Sequence, residues 1–315
     1  MWKNKRVTVF ITGGIAAYKT AYLVSALSKT EADVNVIMTD NACEFISPLV
    51  FETLTGNKCY VDTFDRNFKF DVEHISLAKK ADIFMIAPAT ANVIAKIANG
   101  IADDMLTTTF LASKCKKIVS PAMNTAMFEN QITQDNIAKL KKYGIGVVEP
   151  QNGLLACGDT GAGKMPEPDF LFDVIEREIA REKDMLGKKV LVTAGATMES
   201  LDPVRFLTNH SSGKMGFAIA KEAMLRGAEV TVVKANTTAE IPNFVKIVEV
   251  SSAKDMFDAV TALSEQQDII VKAAAVADYT PESYVDSKIK KKDGDLSIPL
   301  KRTMDILKYL GENKK

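Results

Sequence analysis

Residues 6–29, RVTVFITGGIAAYKTAYLVSALSK, run from an apolar, β-branched stretch through Gly13 and Gly14 into a helix-length segment from about Ile15 to Lys29. The same unit recurs downstream. DVNVIMT is followed by a helical stretch near Cys43 to Leu54, and DIFMIAPAT, KKIVSPAM and IGVVEP alternate with further segments of helical length. Short β-rich runs spaced in this way predict βαβ units and a parallel sheet covered by helices on both faces. In such doubly wound α/β sheets ligands lie outside the carboxyl ends of the strands, so the loop after each strand is where chemistry is expected. A helix over about Asp169 to Lys183 ends in the charged segment REKDMLGKK, and the layout then restarts. KKVLVTAGAT, a helix from about Lys214 to Leu225, AEVTVVKAN, VKIVEV and DIIVKAAAVADY follow. The domain boundary is expected near Asp184 to Lys188, giving domains 1–186 and 187–315.

A chain of 315 residues exceeds what one core usually organises, which also favours two domains. Forty basic side chains balance forty acidic ones, and no sustained basic stripe is present, so a nucleic-acid partner is not expected. The amino terminus, MWKNKRVTVFITGG, enters a strand directly and is too quickly broken for a signal peptide or membrane span. A cytoplasmic protein without a membrane partner is expected. Cys43, Cys59, Cys115 and Cys157 lie far apart with no C-x-x-C, which suggests neither a zinc site nor a disulfide framework.

General acid–base work has only two histidines to draw on, His74 and His210. His74 stands at the entry to a helix that precedes DIFMIA, a position open both to a capping or surface role and to catalysis. ITGGIAAYK and PATANVIAKIANG each place small residues between a strand and a helix, where backbone N–H groups can approach a planar or anionic ligand. The first is not G-x-G-x-x-G, so the dinucleotide fingerprint is absent. In SPAMNTAMFEN, Asn124 suits either an Asx turn or donation to a substrate carboxylate. GLLACGDTGAGKMPEP, residues 153–168, sets Cys157 in a Gly- and Pro-rich loop that suits neither a helix nor a sheet core. Within it GDTGAGKM fits G-x-x-x-x-G-K but has Met165 where a phosphate loop needs a hydroxyl. A mobile flap carrying Cys157 over a site is the better reading.

Together, ITGGIAAYK, VEHISLAKKADIFMIAPATANVIAKIANGIADDMLTTT, PAMNTAMFEN and LLACGDTGAGKM resemble the amino-terminal domain of the bifunctional phosphopantothenoylcysteine decarboxylase/phosphopantothenate–cysteine ligases of coenzyme A biosynthesis. The resemblance implies a flavodoxin-like or Rossmann-like domain binding FMN between subunits of a homo-oligomer built from trimers, up to a dodecamer. It implies FMN contacts from Gly13, Gly14, Ile15, Thr39, Phe45, Pro88, Ala89, Thr90, Ala91, Asn92 and Asp103. The implied chemistry is oxidation of the substrate's thiol to a thioaldehyde, loss of carbon dioxide with its electrons delocalised onto sulfur, then reduction and protonation of the ene-thiol. By the same resemblance His74 orients substrate and assists proton transfer, Asn124 holds the departing carboxylate, and Cys157 on its flap supplies the last proton. Cys43, Cys59 and Cys115 match no such role.

TAGATMESLDPVRFLTNHSSGKMGFAIAKEAMLRGAEVTVV resembles the family's ligase domain, a second Rossmann-like unit. Ser211, Ser212, Gly213 and Lys214 precede a helix and suit an anionic group, while His210 reads as structural. The resemblance implies CTP- and Mg2+-dependent activation of 4′-phosphopantothenate, followed by attack of cysteine. It assigns Asn209 to the acyl-cytidylate, Lys288 to its formation, and Lys272, Ala273, Ala274, Asp278, Lys288, Asp305 and Ile306 to CTP. Two departures stand out. Met304 occupies the family's proline position before Asp305, and members continue for several tens of residues past the position of Lys315. The second domain is therefore expected to be C-terminally incomplete, with part of its CTP pocket and a sheet edge missing. The rival readings are a flavin-dependent decarboxylase of peptide carboxyl-terminal cysteines and a non-catalytic FMN-binding regulatory protein.

Overall fold

The computed structural model describes residues 2–63, 73–291 and 295–313. The chain divides into two compact units, Met1–Ala180 and Arg181–Lys315. Unit 1 opens with β1 (Arg6–Ile11), α1 (Ala17–Ser28), β2 (Asp33–Met38), α2 (Asp40–Cys43), α3 (Pro48–Thr55) and β3 (Cys59–Tyr60). It continues with α4 (Glu73–Lys80), β4 (Ile83–Ala89), α5 (Ala91–Ala98), α6 (Met105–Ala112), β5 (Lys116–Pro121), α7 (Thr125–Glu129), α8 (Gln131–Lys142) and β6 (Gly146–Val147). β7 (Gln151–Leu154), β8 (Thr160–Lys164) and α9 (Pro168–Ile179) complete it.

The six-stranded parallel sheet has the order β3-β2-β1-β4-β5-β6. Both faces are covered, so β4 is buried at every residue and β1 at all but its first. Phe10 and Phe84 meet edge to face at 4.7 Å in the core, with Phe110 of α6 against both. The order reverses between β1 and β4, and the crevice outside their carboxyl ends is the topological switch point of such sheets.

Two local expectations change. The stretch near Cys43 to Leu54 is not one helix, because Pro48 opens a new one at its first position and Ser47 caps it by accepting from Leu49 N. The segment around Cys157 is not an irregular loop either. Residues 151–164 form the antiparallel hairpin β7–β8, outside the main sheet, with Cys157 in its turn. Glycine is tolerated there because Gly161 and Gly163 let the hairpin lie directly on Thr125 and Met123.

Unit 2 comprises β9 (Lys189–Ala194), β10 (Met198–Ser200), β11 (Phe206–Thr208), α10 (Lys214–Leu225), β12 (Glu229–Lys234), β13 (Lys246–Glu249) and α11 (Ala253–Ser264). β14 (Ile269–Lys272), β15 (Tyr279–Pro281), β16 (Leu300–Arg302) and α12 (Ile306–Glu312) follow. Its parallel sheet has the order β13-β12-β9-β14, the same arrangement as the first four strands of unit 1. Here too a switch point lies between the first and fourth strands.

Candidate functional site

Threonines fasten together the two loops that form the switch point of unit 1. Thr12 Oγ1 donates to the Pro88 carbonyl at 2.8 Å and accepts from Thr90 N at 3.2 Å, while Thr20 Oγ1 donates to the Ala87 carbonyl at 2.7 Å. Gly13 has no room for a side chain, since a Cβ there would stand 2.5 Å from Asn41 Cβ at the start of α2. Thr90 caps α5 by accepting from Val93 N, which leaves the first-turn N–H groups of Ala91 and Asn92 facing outward at the positive end of the helix dipole.

Above these loops lies a cavity of about 750 Å³. Of the residues anticipated from sequence, Gly13, Gly14, Ile15, Thr39, Thr90, Ala91, Asn92, Asp103, Asn124 and Cys157 line it. Pro88 and Ala89 do not: Ala89 is fully buried in β4, and the Pro88 carbonyl is spent on Thr12. Phe45 is exposed outside the cavity lining. His74 is the second residue of α4 and is also absent from the lining. α4 ends beside the amino edge of the sheet, where Asp82 N bonds the Arg6 carbonyl, so its amino end with His74 points toward the carboxyl edge.

The cavity adds residues that sequence reading did not single out. Lys19, with its side chain only 14% exposed, lines it and pairs with Glu167 at 2.8 Å. That hydrogen bond is the main reason the Glu167 carboxyl sits below its ordinary range. Asp103 is held by Lys96 at 2.7 Å, which lowers its pKa and raises that of Lys96. Met123, Met127, Leu154, Leu155 and Met165 give the opposite wall an apolar character. Outward-facing amides at a helix start, a nearby cation and an apolar wall suit a flat aromatic ring carrying a phosphate, so the residues fit FMN.

At one side of the cavity the β7–β8 hairpin meets the loop after β5. Met123 N donates to the Gly163 carbonyl at 3.1 Å. Asn124 caps α7, and its Oδ1 accepts from Ala126 N at 2.9 Å. This commits the side-chain oxygen to the backbone and leaves the NH2 group to face the hairpin. Nδ2 then donates to Cys157 Sγ at 3.4 Å and to Asp159 Oδ2 at 3.0 Å, and Cys157 Sγ donates to the same Oδ2 at 3.4 Å. The Asx-turn and ligand-donor roles of Asn124 are thus compatible, since each uses a different atom. Cys157 is exposed, whereas burial is the first cause raising the pKa of each other thiol, that of Cys59 up to about 12.

In unit 2, Lys272, Ala273 and Ala274 stand at the carboxyl end of β14. The N–H groups of both alanines donate to Thr193 Oγ1 at 3.1 Å, so they are already occupied. Burial pulls the Lys272 ammonium below its ordinary pKa, against the opposing pull of the Asp305 carboxylate. Asp305 caps α12 by accepting from Lys308 N, and Ile306 is buried behind it. Asn209 Nδ2 reaches the Val276 carbonyl at 3.5 Å, and Asp278 is exposed while its carbonyl accepts from Thr303 N.

Lys288 is exposed, but the backbone beside it is not loose. Buried Asp202 accepts from Ile289 N at 3.0 Å and from Val204 N and Arg205 N at 2.8 Å, and Arg205 donates to the Ile289 carbonyl at 2.9 Å. Burial alone would raise the Asp202 pKa, but these N–H donors and the Arg205 charge outweigh it and hold the carboxyl below its usual range. Asp202→Asn is expected to free residues 285–289, with amide exchange there roughly ten-fold faster by mass spectrometry. A depressed carboxyl contributes stability above its unfolded pKa of about 3.9 and loses it as pH falls through the lower folded value, so acidification should loosen the same segment.

Residues 1–180 match the family described as Flavoprotein, and residues 185–315 match the DNA/pantothenate metabolism flavoprotein C-terminal domain. The chain is 45% identical to the coenzyme A biosynthesis bifunctional protein CoaBC of Bacillus subtilis, over all of this chain and 78% of that protein. It is 42% identical to that of Borreliella burgdorferi, over all of this chain and 80% of that one. The chain belongs to the CoaBC family. Among solved structures, a PPC decarboxylase Cys-to-Ser mutant complexed with pantothenoylaminoethenethiol is 31% identical, with a TM-score of 0.50, covering 54% of this chain and 96% of that one. For a CoaBC protein the residues missed from sequence are Lys19, Lys96, Asp159 and Asp202. Lys19 and Asp202 act through partners 148 and 87 residues away, for which no local spacing gives a signal.

Proposed function

We propose that unit 1 decarboxylates 4′-phospho-N-pantothenoylcysteine to 4′-phosphopantetheine. The observation that carries this is the meeting of the Asn124 amide and the Cys157 thiol, 3.4 Å apart, at the edge of a cavity on the β1/β4 switch point. FMN, when bound, supplies the oxidation of the substrate's thiol and the later return of those electrons. Gly13, Gly14 and Ile15 hold it on one side, and the first turn of α5 with Thr90, Ala91 and Asn92 holds its phosphate. The NH2 group of Asn124 holds the substrate carboxylate until carbon dioxide departs. Cys157 then protonates the carbon of the ene-thiol, and its turn position in a hairpin lets it close and withdraw. The solved PPC decarboxylase Cys-to-Ser relative, complexed with an ethenethiol, supports this order of events.

The reading includes a cytoplasmic homo-oligomer in which each flavin site is shared. His74 and Phe45 do not line the cavity of their own chain, while Ile15, Tyr18, Tyr22 and Leu49 expose apolar surface on and beside α1 and α3. We assign His74 and Phe45 to the site of a neighbouring copy. Mixing His74→Asn and Cys157→Ser subunits is then expected to restore turnover at about a quarter of the sites in a cyclic assembly. No recovery in confirmed mixed oligomers would place both residues in one chain's site.

The deciding experiment is the visible spectrum of the purified protein, followed by carbon dioxide release on adding phosphopantothenoylcysteine. A yellow protein that releases carbon dioxide is expected. A yellow but inert one favours the regulatory reading, activity only on peptides ending in cysteine favours the peptide decarboxylase, and no flavin uptake removes the FMN assignment. For unit 2 the reading is CTP-dependent ligation of 4′-phosphopantothenate to cysteine, with CTP at Lys272, Asp278, Lys288 and Asp305. Among the described residues no cluster of three His, Cys, Asp or Glu side chains is placed to hold a metal, so Mg2+ would arrive on the nucleotide phosphates. Pyrophosphate release from CTP in the presence of phosphopantothenate tests it separately.

A further inference from the structure

Asp159 lies two residues from Cys157 in the turn of the hairpin, and its carboxylate takes both the Asn124 Nδ2 hydrogen bond at 3.0 Å and that of the Cys157 thiol at 3.4 Å. If Asn124 holds the substrate carboxylate, the same amide cannot serve both carboxylates equally well, and two carboxylates side by side repel. The Asn124 oxygen is fixed on Ala126 N, so the amide has no second orientation in which to offer more donors. Asp159 therefore stands where the chemistry of the site places the carboxylate of the substrate.

We propose that Asp159 is a positioning residue, an internal carboxylate that replaces the substrate carboxylate on Asn124 once carbon dioxide has gone. The inference rests on the decarboxylase reading above. Bound substrate occupies Asn124 and keeps the hairpin turn lifted. Loss of carbon dioxide vacates the amide, Asp159 takes it, and the same movement brings the Cys157 sulfur to 3.4 Å from Asn124. The proton donor is thus delivered only after the bond to the carboxylate has broken. In the step that follows, the thiol gives a proton to the ene-thiol carbon as reduced flavin returns two electrons and a hydrogen. Cys157 is left as a thiolate and regains its proton from water. Met123 N on the Gly163 carbonyl keeps the base of the hairpin anchored throughout, so the motion is confined to the turn.

Asp159→Asn keeps the shape but loses the charged acceptor, and Asp159→Glu restores it on a longer arm. When oxidised holoenzyme is mixed with substrate for a single turnover, the asparagine variant should release its one equivalent of carbon dioxide with a half-saturating substrate concentration (KM) several-fold lower, because the internal competitor is gone. Formation of 4′-phosphopantetheine, together with return of the oxidised flavin spectrum, should then follow roughly ten-fold or more slower than in wild type, with partial recovery in the glutamate variant. Asp159→Asn with both steps at wild-type rates overturns the proposal. So does a parallel fall of both with KM unchanged or raised, the mark of a merely structural residue. Cys157→Ser measured alongside separates the two levels of argument. If that variant shows no lag, the assignment of the last proton to Cys157, on which the proposal rests, fails; if it lags and Asp159→Asn does not, only the role of Asp159 is lost.

Discussion

Cys157→Ser is expected to release one equivalent of carbon dioxide per flavin at the wild-type rate and then stop with the flavin reduced, while formation of 4′-phosphopantetheine slows by about 10²–10⁴-fold, the range typical of losing a general acid. Serine preserves the hydrogen-bond pattern, since a hydroxyl can accept from Asn124 Nδ2 and donate to Asp159 Oδ2 as the thiol does. The hairpin should therefore dock as before. What changes is acidity, because a hydroxyl yields a proton far less readily than a thiol. The ene-thiol should accumulate, and single-turnover quenching with mass detection would show it at two hydrogens below the product. Smooth product formation at the wild-type rate would remove Cys157 from the chemistry. Loss of the first equivalent of carbon dioxide as well would instead assign the thiol a role before decarboxylation.

The repeating strand–helix pattern made the parallel sheets legible, because strands buried on both faces read as unbroken apolar runs and β4 is buried throughout. Periodicity alone does not give the order of the strands, and the switch between β1 and β4 emerges only from the folded sheet. The helix break at Ser47 and Pro48 is written in the sequence as a capping residue before proline, but the apolar residues on either side of it give the appearance of one helix. The hairpin around Cys157 was hidden for a different reason. Gly153, Gly158, Gly161 and Gly163 lower strand propensity, but Gly161 and Gly163 let the hairpin lie on the Thr125 side chain and the Met123 backbone, contacts with residues more than thirty positions away. Small residues after strands mark loops that line the cavity. Lys19 and Asp159 stayed invisible because a charged side chain near a site looks like any solvated charge until its partner is in place.

Gly163→Ala tests that backbone contact and should have the largest effect of any single methyl group added to the hairpin. Gly163 has φ of +126°, and a Cβ there would overlap the Met123 carbonyl oxygen. The strain, roughly 1–3 kcal/mol for such a conformation, has two outlets. Either the sheet core gives way, or the hairpin lifts off the Met123–Asn124 loop. The hairpin is the weaker element, since it lies outside the six-stranded sheet and exposes Leu154 and Cys157, whereas β5 beneath it is buried from Ile118 to Pro121. Lifting breaks the Met123 N to Gly163 bond and carries Cys157 and Asp159 away from Asn124. Flavin content and thermal midpoint should therefore stay within a few degrees of wild type, while product formation falls about 10²-fold, as expected for a reacting group displaced by an ångström. Gly158→Ala is the control. That residue also has positive φ, at +89°, but nothing lies within 4 Å of the added Cβ, so it carries the backbone penalty without the collision. If the two variants lose activity equally, flexibility of the turn is what matters; if only Gly163→Ala does, close docking of the hairpin on Met123 sets the position of the thiol.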